Sequence, residues 1–282
     1  MPLPTLIFLI VVAVVLVYLG IWLYCIRPRS ASDAPSTTEL AKYDYAHRGY
    51  YEKDQSIPEN SLPAFQRAVS KGFGIELDLQ LTADGQVVVF HDDTLKRMCG
   101  VDVPVSSLTW EQLQQYTLAD SGEKIPLFTQ VLKVMNGRTP MIIELKPYQD
   151  VEALCSKTCE ILLRYKGPWC VESFSPLVVK WFRKNKPDVV RGQLMARFTH
   201  KDKPLNLITA FLARNLFVNA MGRPDFVAYD VEARKNWSLR TARRLFHLQE
   251  VSWTIRTPQQ LWAVKAEGAW GIFEHFDASK RK

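Results

Sequence analysis

Four short groups of residues in this chain could do chemistry together: His47-Arg48, Glu76-x-Asp78, His91-Asp92 and Glu144-x-Lys146. Each stands at the end of, or within, a short apolar run. Carboxylates in FGIELDLQL and MIIELKP are costly to bury unpaired, so their presence there asks for a cation. Glu76, Asp78 and Glu144 are hard oxygen ligands that suit one divalent cation, Mg²⁺ or Ca²⁺. Imidazole titrates near neutral pH, so His47 and His91 form an acid/base pair: one accepts a proton from an attacking hydroxyl, the other protonates a leaving oxygen. Arg48 and Lys146 can grip non-bridging phosphate oxygens. These are the parts needed to cleave a phosphodiester with a metal that stabilises charge on the phosphate. His200, His247 and His275 lack such neighbours and read as packing or surface groups.

The elements that must position these groups alternate. Strand-like runs occur at 43–47, 74–79, 141–146, 169–174, 189–195, 226–230, 250–255 and 270–274. Helix-like segments lie at 60–71, 127–136, 150–165, 176–185, 205–217, 238–246 and 258–267. Strands separated by helices pair in parallel, and eight such units predict an α/β fold, a (β/α)₈ TIM barrel. An open doubly wound sheet is the alternative, but no G-x-G-x-x-G or P-loop is present. In a barrel strand Glu76 and Asp78 share one face, as do Glu144 and Lys146. Residues 86–125 break the alternation and read as a small insertion after the second strand, with a short helix near 110–115. Few residues follow Glu274, so the last helix is expected to be truncated or absent.

Residues 1–26 carry no charged side chain and predict a transmembrane helix. A cleaved signal peptide is the competing reading, opposed by the missing basic n-region, the length of the apolar run and the lack of a small-residue cleavage site. Trp22 and Tyr24 suit an interfacial belt, and Arg27 and Arg29 beyond the span place the following domain in the cytoplasm as a single-pass membrane protein. Residues 27–42 read as a polar tether, and 43–282 as one barrel domain. The net charge of +7 is scattered, with no dense basic run, which argues against nucleic-acid binding and is explained by an anionic membrane surface or phosphate-bearing substrates. The five cysteines include no C-x-x-C pair, so structural zinc is not expected. No obligate protein partner is evident.

The segment AHRGYYEKDQSIPENSLPAFQRAVSKGFGIELDLQLTADGQVVVFHDDTLKRMCG resembles the signature of the glycerophosphodiester phosphodiesterase family, with HRG, PENS, ExD, T-x-DG and HD in order. The similarity continues through IPLF, ELKP, ESFS and WTI. The resemblance implies a (β/α)₈ barrel that hydrolyses glycerophosphodiesters to an alcohol and glycerol 3-phosphate with a divalent cation. It matches His47 and His91 to the acid/base histidines, and Glu76, Asp78 and Glu144 to the metal carboxylates. It also matches Arg48 and Lys146 to the basic positions, and Phe174 and Trp253 to apolar residues near the pocket rim. Glu59 and Asn60 match the PEN element, expected to shape the loop and cap the next helix. Two departures touch the late rim: Arg256 stands where asparagine is common, and GIFEHFDASKRK replaces the usual G-hydrophobic-hydrophobic-T-D-x-P ending. They bear on substrate choice and barrel closure.

The leading expectation is a membrane-anchored, metal-dependent phosphodiesterase acting on deacylated phospholipids or lysophospholipids. Alternatives are a barrel lyase of the phospholipase C or sphingomyelinase D kind, and an inactive anchored binding barrel.

Overall fold

A computed structural model describes residues 1–196 and 207–280. Eight strands close a parallel barrel: β1 (Tyr45–Ala46), β2 (Gly74–Leu81), β4 (Met141–Leu145), β5 (Trp169–Ser173), β6 (Arg191–Met195), β7 (Phe226–Asp230), β8 (Gln249–Ile255) and β9 (Trp270–Phe273). A ninth, β3 (Val87–Val89), lies antiparallel on β2 with Leu79 opposite Val89. The helices that cover the barrel are α2 (Leu62–Ser70), α3 (Phe128–Met135), α4 (Val151–Leu162), α5 (Pro176–Asn185), α6 (Leu207–Arg214), α7 (Trp237–Phe246) and α8 (Pro258–Ala266).

Both faces of each strand are buried, as parallel sheets require. In β2 the alternation is plain: Ile75, Leu77 and Leu79 join the apolar layer under the helices. Glu76, Asp78 and Gln80 are buried on the other face. A second apolar cluster, including Tyr45, Ile142, Phe226 and Trp270, fills the barrel interior.

Several expected boundaries shift. The first strand is two residues long rather than five, because Arg48 (φ 53°) and Gly49 (φ 83°) turn the chain in the left-handed region. His47 still donates its backbone N–H to Phe273 at 2.9 Å. Helix α2 starts at Leu62, and its cap is Ser61, whose hydroxyl accepts from the Ala64 N–H. Asn60 is therefore not the cap. The helix expected over 205–217 is α6, which ends at Arg214, with a separate helical turn beyond it at Asn219–Gly222; residues 205–206 and His200 lie outside the described residues. The 86–125 excursion has its own apolar cluster, built on Phe90, Met98, Leu113 and Ile125 among others, so it packs as a small satellite on the rim.

Closure does not need a last helix. β9 pairs with β1 (Ala46 opposite Phe273), and β1 with β2 (Ala46 opposite Ile75). The tail covers the remaining gap: Phe276 packs on Phe273 at 5.2 Å, and Asp277 pairs with Lys71 at 3.0 Å.

Before the barrel runs α1 (Leu3–Ile26), long and apolar enough to cross a membrane. Its last turn is part of the packing: Ile26 is fully buried in a cluster with Leu216, Tyr229, Leu239 and Leu248. The following segment is held to the barrel, with Arg29 paired to Asp225 at 3.1 Å and donating to the Pro187 carbonyl at 2.7 Å.

Candidate active site

The sequence-predicted carboxylates converge. β2 pairs with β4 in a register that sets Asp78 beside Glu144, and two-residue periodicity puts Glu76 on the same inner face. One oxygen from each of Glu76, Asp78 and Glu144 lies within 4.8 Å of the others, and all three side chains are buried. Glu172 is buried one strand further along, opposite Glu144 in the β4–β5 register, with Oε2 lacking a hydrogen-bond partner.

So much negative charge out of water is resolved unevenly. Burial, then the proximity of Asp78 and Glu144, pushes the Glu76 carboxyl well above its usual range. Burial also pushes Glu144 up, to about 7, against the pull of Lys146. Glu172 is raised by burial and by Glu144. Asp78 goes the other way. Burial opposes its ionisation, but Lys146, His91, Arg48 and the Asn60 amide together hold it well below the ordinary carboxylate range. The Lys146 ammonium sits 2.8 Å from Glu144 and 3.2 Å from Asp78. These partners outweigh burial and hold it charged. The set fits a hard divalent cation: three crowded oxygen donors, two of them costly to ionise without added positive charge.

The left-handed turn after β1 gives Arg48 two tasks. Its backbone N–H donates to Glu76 at 3.0 Å, while its guanidinium pairs with Glu59 at 2.7 Å and lies 3.6 Å from Asp78. Asn60, in a left-handed conformation (φ 55°), donates its amide to Asp78 at 2.8 Å. The PEN element thus braces the carboxylates directly. Glu59 also accepts from Arg97, which in turn reaches Asp92 at 2.6 Å.

Both histidines are held from behind. His91 Nδ1 lies 2.7 Å from Asp92, and His47 Nδ1 lies 2.7 Å from Glu274. Glu274 also accepts from Tyr51 at 3.0 Å and from Arg256 at 2.8 Å. Burial would raise the Glu274 carboxyl, yet His47, Arg256 and His275 lower it to about 2. An ionised carboxylate only accepts hydrogen bonds, so Nδ1 carries the proton on each ring and Nε2 keeps its lone pair. His47 Nε2 lies 3.9 Å from Glu76. Burial lowers both imidazoles, His91 to about 4 with Lys146 adding to the effect, and His47 with Arg48 adding to it.

His47, Arg48, Glu76, His91, Glu144 and Lys146 line one cavity of about 850 Å³ at the C-terminal ends of the strands. Phe174 and Trp253 also line it, edge to face at 5.8 Å. Every site residue expected from the sequence is at this one end. Sequence reasoning missed Glu172 and Glu274, although each closes an apolar strand as the recognised carboxylates do. It also flagged Arg256 and the atypical ending as separate departures. They meet here, as the Arg256–Glu274 pair behind His47.

A closed (β/α)₈ barrel with acids and imidazoles gathered at the catalytic end defines a TIM-barrel enzyme scaffold. Residues 47–277 match the model of the glycerophosphoryl diester phosphodiesterase family, and the chain belongs to that family. It is 36% identical over 109 residues to a glycerophosphodiester phosphodiesterase of Caldanaerobacter subterraneus, covering 36% of this chain and 44% of that protein. It is 36% identical over 120 residues to human lysophospholipase D GDPD1, covering 38% of this chain and 37% of the relative. The matches thus span less than half the length of these relatives. Among solved structures, a glycerophosphodiester phosphodiesterase from Thermotoga maritima superposes with a TM-score of 0.62 at 26% identity, covering 84% of this chain and 95% of that one.

Proposed function

We propose that this protein is a membrane-anchored, metal-dependent phosphodiesterase that hydrolyses glycerophosphodiesters to an alcohol and glycerol 3-phosphate, or lysophospholipids to an alcohol and acylglycerol 3-phosphate. The observation that carries this reading is the buried Glu76–Asp78–Glu144 cluster flanked by two imidazoles, each held through Nδ1. These three carboxylates would hold one Mg²⁺ or Ca²⁺, whose charge, when bound, stabilises the phosphate oxygens. Arg48 and Lys146 orient the non-bridging oxygens. His47 and His91 exchange protons with the attacking and leaving oxygens through Nε2. Phe174 and Trp253 offer an apolar wall to the organic part of the substrate. The lysophospholipase D name of the human relative supports a lyso-lipid among the substrates. Helix α1 serves as the anchor, with Arg27 and Arg29 favouring a cytoplasmic barrel; a reporter fused to the C-terminus would report the opposite side if this orientation is wrong.

Assays on glycerophosphocholine and lysophosphatidylcholine, with and without chelator, test the activity. Full turnover in excess EDTA removes the metal assignment, and a persistent cyclic phosphate product would favour the lyase chemistry instead. His47→Ala and His91→Ala each lower kcat by at least about 10²-fold if they are the proton-transfer groups.

A further inference from the structure

We infer that the mouth of the catalytic cavity lies against the bilayer, seated on it by an apolar collar formed by α6 and the first turns of α5 and α7. The inference rests on the reading of α1 as a membrane anchor. The direction of α1 on the barrel carries it. Trp22 Nε1 donates to Ser238 Oγ at 2.9 Å. Ser238 is in the first turn of α7, which follows β7 and so begins at the catalytic end. Further along the chain, Arg223 donates to the carbonyls of Tyr24 and Arg27 at 2.6 and 2.9 Å, and Arg29 pairs with Asp225. Arg223 and Asp225 immediately precede β7, at the opposite end. The chain from Trp22 to Arg29 therefore descends the barrel wall away from the active site. Residues before Trp22 project beyond the catalytic rim. At ~1.5 Å per residue, Leu3 to Ile21 extend roughly 28 Å, close to the ~30 Å hydrocarbon thickness. The bilayer then begins at the level of Trp22, which is the level of the rim.

The rim is built for that neighbour. Tyr229, near the catalytic end of β7, donates its hydroxyl to the carbonyl of Arg214, the last residue of α6. The end of α6 is thus near the catalytic rim, where Thr209 and Ala213 also line the cavity. Leu207 (78% exposed), Ile208 (72%) and Phe211 (53%) on α6, Trp237 (78%) opening α7 and Leu177 (52%) opening α5 are all uncovered at this end. Leu163 and Leu245, also uncovered, lie at the far ends of their helices. An arc of apolar side chains with a tryptophan, on the side of the rim where α1 emerges, is the composition of an interfacial surface. Thr209 and Ala213 of α6 line the same cavity as His47 and His91. A lipid's headgroup therefore reaches the acids and imidazoles while its chain passes the collar into the membrane.

The test uses the full chain in vesicles of phosphatidylcholine and phosphatidylglycerol. A photoreactive benzoylphenylalanine is placed at Ile208, Trp237 or, as control, Leu163, and lipid adducts are read by mass spectrometry. Adducts at 208 and 237 but not 163 are expected. The triple variant Leu207→Glu, Ile208→Glu, Phe211→Glu should lose about tenfold or more in turnover of vesicle-borne lysophosphatidylcholine, with soluble glycerophosphocholine turned over as before. If the chain floats with vesicles yet 208 and 237 gain no adducts, or 163 gains them equally, the inference is overturned while the anchor stands. Chain that does not float overturns both. Loss of soluble-substrate turnover in the wild type would instead count against the proposed activity.

Discussion

At the scale of single residues, Glu274 carries the sharpest expectation. Its carboxylate fixes which His47 nitrogen bears the proton. Glu274→Gln keeps the shape but can present an amide N–H, so the ring loses its enforced tautomer. We expect kcat to fall by about 10²-fold with KM nearly unchanged, measured on glycerophosphocholine. Stability carries a second signature. The folded-state pKa of about 2 lies below the ordinary 4.5, so the contribution is present above 4.5 and is lost as pH falls toward 2. That difference sets a ceiling on the order of 3–4 kcal/mol. The gap in unfolding free energy between wild type and Glu274→Gln should be widest near neutral pH and close in acid. Glu76 has the opposite sign, since its carboxyl is pushed up and its ionisation opposes folding as pH rises. Glu76→Gln should therefore raise Tm in chelator, yet abolish the Tm gain that Mg²⁺ or Ca²⁺ gives the wild type, a gain worth about 2.7 kcal/mol at a hundredfold excess over Kd. Glu76, Asp78 and Glu144 could be read from sequence because i,i+2 spacing inside apolar runs fixes a shared face. Glu274 could not be tied to His47, because that contact depends on β9 closing against β1.

At the scale of elements, the loop from β1 to α2 sets the geometry of the cluster. Gly49 is at φ +83°, and a Cβ there would meet the Ala64 Cβ at 2.9 Å and the Phe65 ring at 3.0 Å. Gly49→Ala adds left-handed strain of about 1–2 kcal/mol to an overlap with backbone-anchored neighbours, and it pushes on the turn that aims Arg48 at Glu59 and Asp78. We expect a lower Tm together with reduced turnover. Gly72→Ala is the control: φ is +75° but nothing lies within 4 Å, so only the strain remains and turnover should hold. The strands and most helices were legible because their periodicities follow from burial on one face or two. What the pattern hid is local conformation. Asn60 looks like a helix cap, but it occupies a left-handed position that turns its amide to Asp78, and the neighbouring Ser61 takes the cap.

At the scale of the molecule, the barrel and the apolar helix α1 share packing that composition alone does not show. Charge-free sequence ends after Ile26, so residues 1–26 read as one unit, and the last turn of that helix packs against the barrel. Ile26 is fully buried, Trp22 and Leu23 pack on the same cluster, and Arg29 neutralises the buried Asp225. Truncation separates the two roles. A chain beginning at Trp22 loses the exposed span but keeps these contacts, and should be extractable without detergent, with a Tm near that of the full protein. A chain beginning at Ser30 removes an apolar plug and leaves Asp225 without its cation. Losing a buried isoleucine side chain alone costs about 2–5 kcal/mol, and an unpaired buried carboxylate adds to it. Its Tm should drop well below that of the longer truncate, measured side by side by calorimetry. Equal melting of the two would mean that the last turn of α1 contributes nothing to the barrel, and the direction assigned to the helix would lose its structural basis.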